Sequence, residues 1–375
     1  MRRFFLFALA ILALLHVYIG WRLLPALPIG ATGHVIGALL LATSCILMPL
    51  GILTRAMRDQ RLGDRLAWAG LLAMGLFSSL FVLTLLRDIA LALTGLLGTT
   101  SPQLRENSAI AVPLLAVFAT VVGFVNARRR ARIVEVEVPL ANLPNALHGF
   151  TIAQISDIHV GPTIKRDYLE AIVASVNSLD ADLVAITGDL VDGSVEQLAA
   201  HTTPLAELRA RHGVYFVTGN HEYYSGAHAW IDELTRLGVH VLINEHVLIE
   251  RAGANLVIAG VPDYSAHGFD AAHRSDPQQA LAGAPRDAVK ILLAHQPRTA
   301  PAAAEAGFDL QLSGHTHGGQ FWPWNHFVRF QQPYTAGLHR LRELWVYTSR
   351  GTGYWGPPKR FGAPSEITRL RLVPA

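Results

Sequence analysis

Leu183-Val-Ala-Ile-Thr-Gly-Asp-Leu-Val-Asp192 is an apolar run, a glycine turn and two carboxylates in ten residues. Four consecutive apolar residues before a glycine read as a short buried strand. The same arrangement recurs through the second half of the chain. Asp157 and His159 follow the apolar run at 151–155, and Gly219, Asn220 and His221 follow 214–217. His295 follows 291–294, and Gly314, His315 and His317 follow 308–312. In an α/β sheet the carboxyl ends of the strands line one crevice, so residues far apart in sequence converge there. Five such coincidences predict a metal centre, with two ions.

Working outward, helical patterns at 168–179, 195–211, 228–237 and 299–306 alternate with these strands, which indicates α/β layering. Strand-like segments without intervening helices appear at 239–243, 246–251, 256–259, 344–348 and 366–372, and 133–138 reads as a half-exposed strand. They predict antiparallel strands that extend or face the central sheet. Residues 139–149 read as a loop. Two glycine- and proline-rich stretches, 314–323 and 351–364, carry or adjoin Phe321, Trp322, Trp324, Phe327, Tyr354, Trp355 and Phe361. Loops of this length are commonly lids or binding rims.

The chain has 375 residues, 51% hydrophobic and 16% charged, with a net charge of +3. Its excess of apolar residues is concentrated at 4–19, 31–53, 66–86 and 108–125. Each is close to the ~20 residues that cross a bilayer as a helix. A transmembrane bundle of about four helices over residues 1–132 is expected, followed by a ligand-bearing domain over 133–375. The first segment has no small-residue cleavage site after it, which argues against a signal peptide. Residues 88–98 either extend the third helix or lie along the interface.

Arg2 and Arg3 precede the first span, Arg55, Arg58, Arg61 and Arg65 separate the second from the third, and Arg128, Arg129, Arg130 and Arg132 follow the fourth. The alternate connections hold only Arg22, Arg87 and Arg105, so both termini and the ligand-bearing half are expected on the cytoplasmic side. The single cysteine, Cys45, lies in the second span and excludes an intrachain disulfide. Basic residues that border spans meet lipid headgroups. They do not form the basic face, interleaved with aromatics, that nucleic acid requires.

Aspartate oxygens, histidine nitrogens and an asparagine carbonyl suit Mn²⁺, Fe²⁺ or Zn²⁺. Two ions need a bridging carboxylate, for which Asp189 in the Gly188 turn is the natural candidate. Asp157, His159 and His317 would hold one ion and Asn220, His295 and His315 the other. Each motif alone has an ordinary reading as a turn. All five in order after five strands do not. The histidines outside these motifs, His16, His34, His228, His267, His326 and His339 among them, are read as non-ligands.

Asp157-Ile158-His159, Gly188-Asp189-Leu190-Val191-Asp192, Gly219-Asn220-His221-Glu222, His295 and Gly314-His315-Thr316-His317 resemble, in order, the motif set of the calcineurin-like metallophosphoesterases. The resemblance spans about residues 150–373. It implies a two-sheet sandwich flanked by helices, with a dinuclear centre at one edge. A closer match, in the run Gly314 to Gln320 and in Ser349-Arg350-Gly351-Thr352-Gly353, Arg360 and Pro364-Ser365-Glu366-Ile367, is similar to a membrane-associated subfamily. That subfamily includes UDP-2,3-diacylglucosamine hydrolase-like and transmembrane metallophosphoesterases.

The implied reaction is hydrolysis of a phosphodiester or pyrophosphate by metal-activated hydroxide. His221 is expected to protonate the leaving oxygen, and Asp192 to hold its ring. Asp192 has a second reading as the cap of a helix near Ser194. Glu222 is read as orienting a neighbour or facing solvent. Membrane lipids are the expected surroundings and a lipid-linked phosphoester such as UDP-2,3-diacylglucosamine the expected substrate. A soluble substrate is the alternative. A transporter or scaffold with a degenerate regulatory module is disfavoured by the intact ligand set and by the lack of carboxylates in the spans. Trp322, Trp324, Phe327 and Trp355 are read either as an apolar path for lipid or as a packed rim.

Overall fold

A computed structural model describes residues 2–54, 57 and 59–375, the side chains of Arg2 and Phe4 excepted. Arg55 and Arg58, used above to orient the spans, lie outside the described residues. The chain divides into two compact units, one comprising Met1–Asn126 with Gly356–Lys359, the other Ala127–Trp355 with Arg360–Ala375.

The first unit is built from helices α1 (Arg2–Leu23), α2 (Gly30–Leu53), α3 (Gln60–Leu96) and α4 (Pro102–Arg128). All four are long and apolar enough to cross a membrane. Side chains such as Leu14, Val17, Leu40, Leu114 and Phe118 point outward and stay largely exposed, the reverse of a water-soluble bundle. α2 and α3 touch through backbone. A β-carbon at Gly70 would lie 2.7 Å from Gly51 Cα and would press on Leu47 O. Small residues of this kind let membrane helices pack closely.

The third helix runs straight through Arg87 and Asp88 to Leu96, so 88–96 extends it. Both charges are partnered, which is why the helix tolerates them. Asp88 accepts from Tyr18 Oη at 2.8 Å and from Arg22 at 2.7 and 2.9 Å. Arg87 donates to Ser108 Oγ and to the carbonyls of Arg22 and Arg105. Lys359, in the short segment grouped with the helices, is buried and donates from Nζ to Gly75 O at 3.0 Å and to Ser79 Oγ at 2.5 Å. A β-carbon at Gly123 would meet Lys359 Cγ at 2.6 Å.

The second unit begins with β1 (Arg132–Leu140) and β2 (Thr151–Ile155), then α5 (Arg166–Asn177), β3 (Leu183–Ile186), α6 (Val195–Thr202) and β4 (Val214–Phe216). α7 (Asn220–Ser225), α8 (Ala227–Arg236), β5 (His240–Val241), β6 (Glu245–Arg251) and β7 (Ala254–Gly260) follow. α9 (Pro277–Ala280), β8 (Val289–Leu293), α10 (Ala300–Ala306), β9 (Leu310–Ser313), β10 (Gly337–Leu341), β11 (Leu344–Thr348) and β12 (Glu366–Pro374) complete it. The strands form two six-stranded sheets, ordered β1-β12-β2-β3-β4-β5 and β10-β11-β9-β8-β7-β6.

Alternation along each strand builds the layers. Leu183, Ala185 and Val217 of the first sheet meet Ile258, Ile291, Leu293 and Leu312 of the second in a core between the sheets. Val184, Ile186 and Phe216 face the other way, onto Leu169, Val173 and Trp230 of the helices. Ala259 and Leu292 do the same on the far side against Ala300 and Ala303. Strands buried on both faces read as continuous apolar runs, which is why they stand out in the sequence.

Three local expectations change. β1 runs through Pro139, where a loop was expected; it is an edge strand and so has room for a residue without an N–H. The helix expected over 195–211 stops at Thr202, because Pro204 turns the chain into a 3₁₀ segment. β10, not foreseen, pairs antiparallel with β11.

Replacing Gly70 by valine should force α2 and α3 apart and lower the melting temperature of the detergent-solubilised protein. Gly95→Ala, which meets only Thr100 Oγ1 at 3.7 Å, should leave it within about 1 °C, inside the range of neutral surface changes. Circular dichroism at 222 nm reads both.

Candidate metal centre

The predicted ligands sit where five strands end, and the backbone turns sharply at each. Asp157, His159, Asp189, His315 and His317 all adopt left-handed backbone, with φ between 50° and 70°. Such conformations cost energy outside glycine and gather at functional sites. Here they fold each strand end back so that consecutive polar side chains enter one crevice. Two glycines let the turns meet. A β-carbon on Gly219 would collide with Asp189, and one on Gly314 with Ser156 and Asp157.

Asp157, His159 and His317 form one group, and Asp189, His295 and His315 a second, each with its ligand atoms within 4.8 Å of one another. His317 Nε2 is 3.5 Å from Asp157 Oδ1 and 3.0 Å from His159 Nε2. His295 Nε2 is 3.2 Å from Asp189 Oδ2 and 3.2 Å from His315 Nδ1. His159 Nε2 and His221 Nε2 each lie 3.9 Å from the same Asp189 oxygen. Asp189 is therefore shared by both groups. Asn220 opens α7, and its neighbour His221 donates its N–H to Asp189 Oδ1 at 2.9 Å.

The donor set fits divalent cations. Asn220 Oδ1 is buried with no hydrogen-bond partner among the described residues, and buried polar atoms seldom lack one. His295 donates from Nδ1 to Thr187 O at 2.7 Å, which turns Nε2 toward the centre, the usual support of a ligating histidine. Burial, with the positive charge of His295 second, lowers the His315 pKa to about 3, and burial holds His317 well below its ordinary value. Both rings are neutral and able to ligate. Burial pushes the Asp157 carboxyl upward, against the pull of His295: a carboxylate short of positive charge.

His221 is distinct. Its Nδ1 is 2.5 Å from Asp192 Oδ1. Burial works against its charged form, but the Asp189 and Asp192 carboxylates outweigh that and raise its pKa to about 9. Asp192 does not cap α6; Ser194 does, with Gln197 Oε1 accepting the Ser194 N–H at 3.2 Å.

Glu222 does not face solvent. It is fully buried and accepts from the N–H groups of Gly219, Asp189, Leu190 and Val191 at 2.6 to 3.3 Å. It thus ties the start of α7 to the Asp189 turn. Arg360 received no task from the sequence, though the closing motif contains it. Its guanidinium is buried and donates to the carbonyls of His317, Arg350, Gly353 and Ala363 at 2.7 to 3.2 Å. Burial lowers its pKa to about 10, so it stays charged at neutral pH. Trp322, Trp324 and Phe327 are partly exposed on the loop beyond His317, with the rings of Trp324 and Phe327 5.9 Å apart between centroids. Among the described residues a further group, His228, Asp270 and His273, stands apart from the centre.

The signature of the calcineurin-like phosphoesterases matches residues 150–319. A transmembrane protein with metallophosphoesterase domain from Bos taurus is 42% identical over 278 residues, 70% of this chain and 63% of the relative. Its counterpart from Danio rerio is 39% identical over 278 residues, covering 72% and 63%. The chain thus spans less than two thirds of the length of these relatives. An uncharacterized metallophosphoesterase of Campylobacter jejuni is 33% identical over 324 residues, 84% of each chain. The matched signature and this identity over most of both chains show that the chain belongs to the calcineurin-like metallophosphoesterase family.

Proposed function

We propose that this protein is a membrane-anchored, two-metal phosphohydrolase whose catalytic unit faces the cytoplasm and cleaves a phosphodiester or pyrophosphate bond in a lipid-linked substrate. One observation carries the chemistry: Asp189 Oδ2 lies 3.2 Å from His295 and 3.9 Å from His159, a single carboxylate between two sets of imidazole nitrogens.

In this reading Asp157, His159 and His317 would hold one ion and Asn220, His295 and His315 the other, with Asp189 the carboxylate common to both groups. Ions of the Mn²⁺, Fe²⁺ or Zn²⁺ type supply Lewis acidity toward phosphoryl oxygens and a water acidified enough to attack at neutral pH. His221, charged through its pairing with Asp192, donates a proton to the departing oxygen, and Asp192 fixes its ring. Glu222 and Arg360 hold the backbone that carries Asp189 and His317.

A lipid-linked substrate is supported by the four apolar helices and by the exposed Trp322, Trp324, Phe327 and Phe330, aromatic side chains of the kind that favour a bilayer interface. UDP-2,3-diacylglucosamine is a representative compound. The arginine bias around the spans supports the cytoplasmic orientation. A green fluorescent protein fused after Ala375 should fluoresce in a bacterial host, whereas alkaline phosphatase at the same point should be inactive; the opposite pattern would exclude this orientation.

Asp189→Asn should lower bound Mn²⁺ from two equivalents to one or fewer and abolish hydrolysis of bis-p-nitrophenyl phosphate. Full activity in that variant would remove the site assignment. Glu222→Ala should weaken metal affinity by roughly 10–100-fold, as supporting residues do, with activity restored by added Mn²⁺.

His221→Ala should cost about 10²–10⁴-fold on an alkyl leaving group, the usual range for a general acid, and much less on p-nitrophenolate, which departs without a proton. Equal losses on the two would reassign His221. Alanine at both Trp322 and Trp324 should weaken hydrolysis of the lipid substrate and spare bis-p-nitrophenyl phosphate.

A further inference from the structure

His221 is walled by aromatic rings that none of the steps above employs. Tyr224 meets it edge-on at 5.2 Å between centroids and 65°, and Trp355 at 5.6 Å and 74°. Phe269 continues the wall, 5.5 Å from Tyr224. These rings are not core. Tyr224 is 56% exposed, Phe269 57% and Trp355 50%, although His221 between them is buried. Large aromatic faces left half in water beside a buried acid are an unsatisfied surface of the kind that ligands cover.

Trp355 is also held in place by design of the backbone. The Gln320 carboxamide grips its peptide on both sides: Nε2 donates to Trp355 O at 2.9 Å, and Oε1 accepts from Trp355 N at 2.9 Å. Gln320 is buried and takes a left-handed backbone at φ 54°. It lies three residues after His317, so the loop that delivers a candidate ligand side chain also fixes the peptide that bears the indole. A tryptophan serving only as surface cover has no need of a two-point clamp.

We infer that Tyr224 and Trp355 form a subsite for a planar ring carried by the leaving group, an aryl or nucleobase-bearing alcohol or phosphate ester, and that Gln320 is its positioning residue. The inference rests on the phosphohydrolase reading and on His221 as the acid. An acid must lie against the departing oxygen, so whatever that oxygen carries lies against the groups flanking the acid. Trp and Tyr present rigid faces with little rotamer freedom to lose. A planar π-system stacks on such faces, so it gains contact beyond the area it buries. A saturated chain gains only the buried area.

Phenylphosphonate and cyclohexylphosphonate test this, because they share charge and size and differ in planarity. Each is titrated calorimetrically into the full-length, Mn²⁺-loaded protein and into Trp355→Ala, Trp355→Phe and Gln320→Ala. The wild type should bind the phenyl compound about tenfold more tightly, within the range of one stacked ring. Trp355→Ala should bring the ratio near one, Trp355→Phe should keep most of it, and Gln320→Ala should fall between them.

On bis-p-nitrophenyl phosphate, Trp355→Ala should raise KM more than it lowers kcat. Equal affinities in the wild type, or a parallel loss of both ligands in Trp355→Ala, would overturn the subsite. So would a Trp355→Ala change confined to liposome binding. Absence of hydrolysis by the wild type would count against the phosphohydrolase reading instead, and the calorimetric ratio would still report on the ring preference.

Discussion

Asp189 is a carboxylate in the protein interior, and its charge sets the terms for everything near it. Burying an unpaired carboxylate is prohibitive. Three imidazoles face its outer oxygen at 3.2 to 3.9 Å, and the His221 N–H binds the inner one. A second carboxylate, Glu222, stands directly behind and is satisfied by four backbone N–H groups. Asp157 and Asp192 are buried beside it, and burial keeps the His315 and His317 rings neutral, a donor set that suits divalent cations. The glycine contacts and left-handed turns are what allow these groups to approach one another without side chains intervening.

The strand ends were legible because of a property of buried sheets. Both faces of β3 are covered and its residues are all apolar, and β8 and β9 are mostly apolar apart from Lys290, Gln311 and Ser313, so a cluster of ligand-type residues directly afterwards is conspicuous. That contrast marks Asp157, Asp189, Asn220, His295, His315 and His317 at once. The four apolar helices were legible for a similar reason, since outward-facing Leu14 or Phe118 would make no sense in water. Helix ends were less so. The third helix continues past Arg87 and Asp88 because partners on other helices neutralise them, and sequence adjacency carries no trace of such partners.

What stayed hidden is the framework around the ligands. Glu222 looks like any acid in the first turn of a helix; only the fold brings the Asp189 and Leu190 N–H groups to it across 32 or 33 residues of chain. Arg360 reaches the His317 carbonyl over 43 residues. β10 has a half-exposed pattern and mixed polarity, and it forms because β11 offers it an edge. In each case the residue type is ordinary and its role comes from a long-range backbone contact, to which hydrophobic periodicity is blind.

The stretch from Gly314 to Phe330 joins three tasks that are usually distributed. Its first residues deliver His315 and His317 to the metal groups. Gln320 then fixes the peptide of Trp355, and the loop goes on to the exposed Trp322, Trp324, Phe327 and Phe330. Because Gln320 follows His317 through only two glycines, a shift that carried the aromatic wall away from His221 would also disturb a metal ligand. On the proposed reading, the reacting phosphorus and the group that leaves it are both referenced to one piece of backbone. Rigid placement of this kind is where positional catalysis gains most, since a displacement of about 1 Å can cost about 10²-fold in rate. Selectivity for the leaving group and efficiency of the chemistry are in this fold two consequences of the same loop.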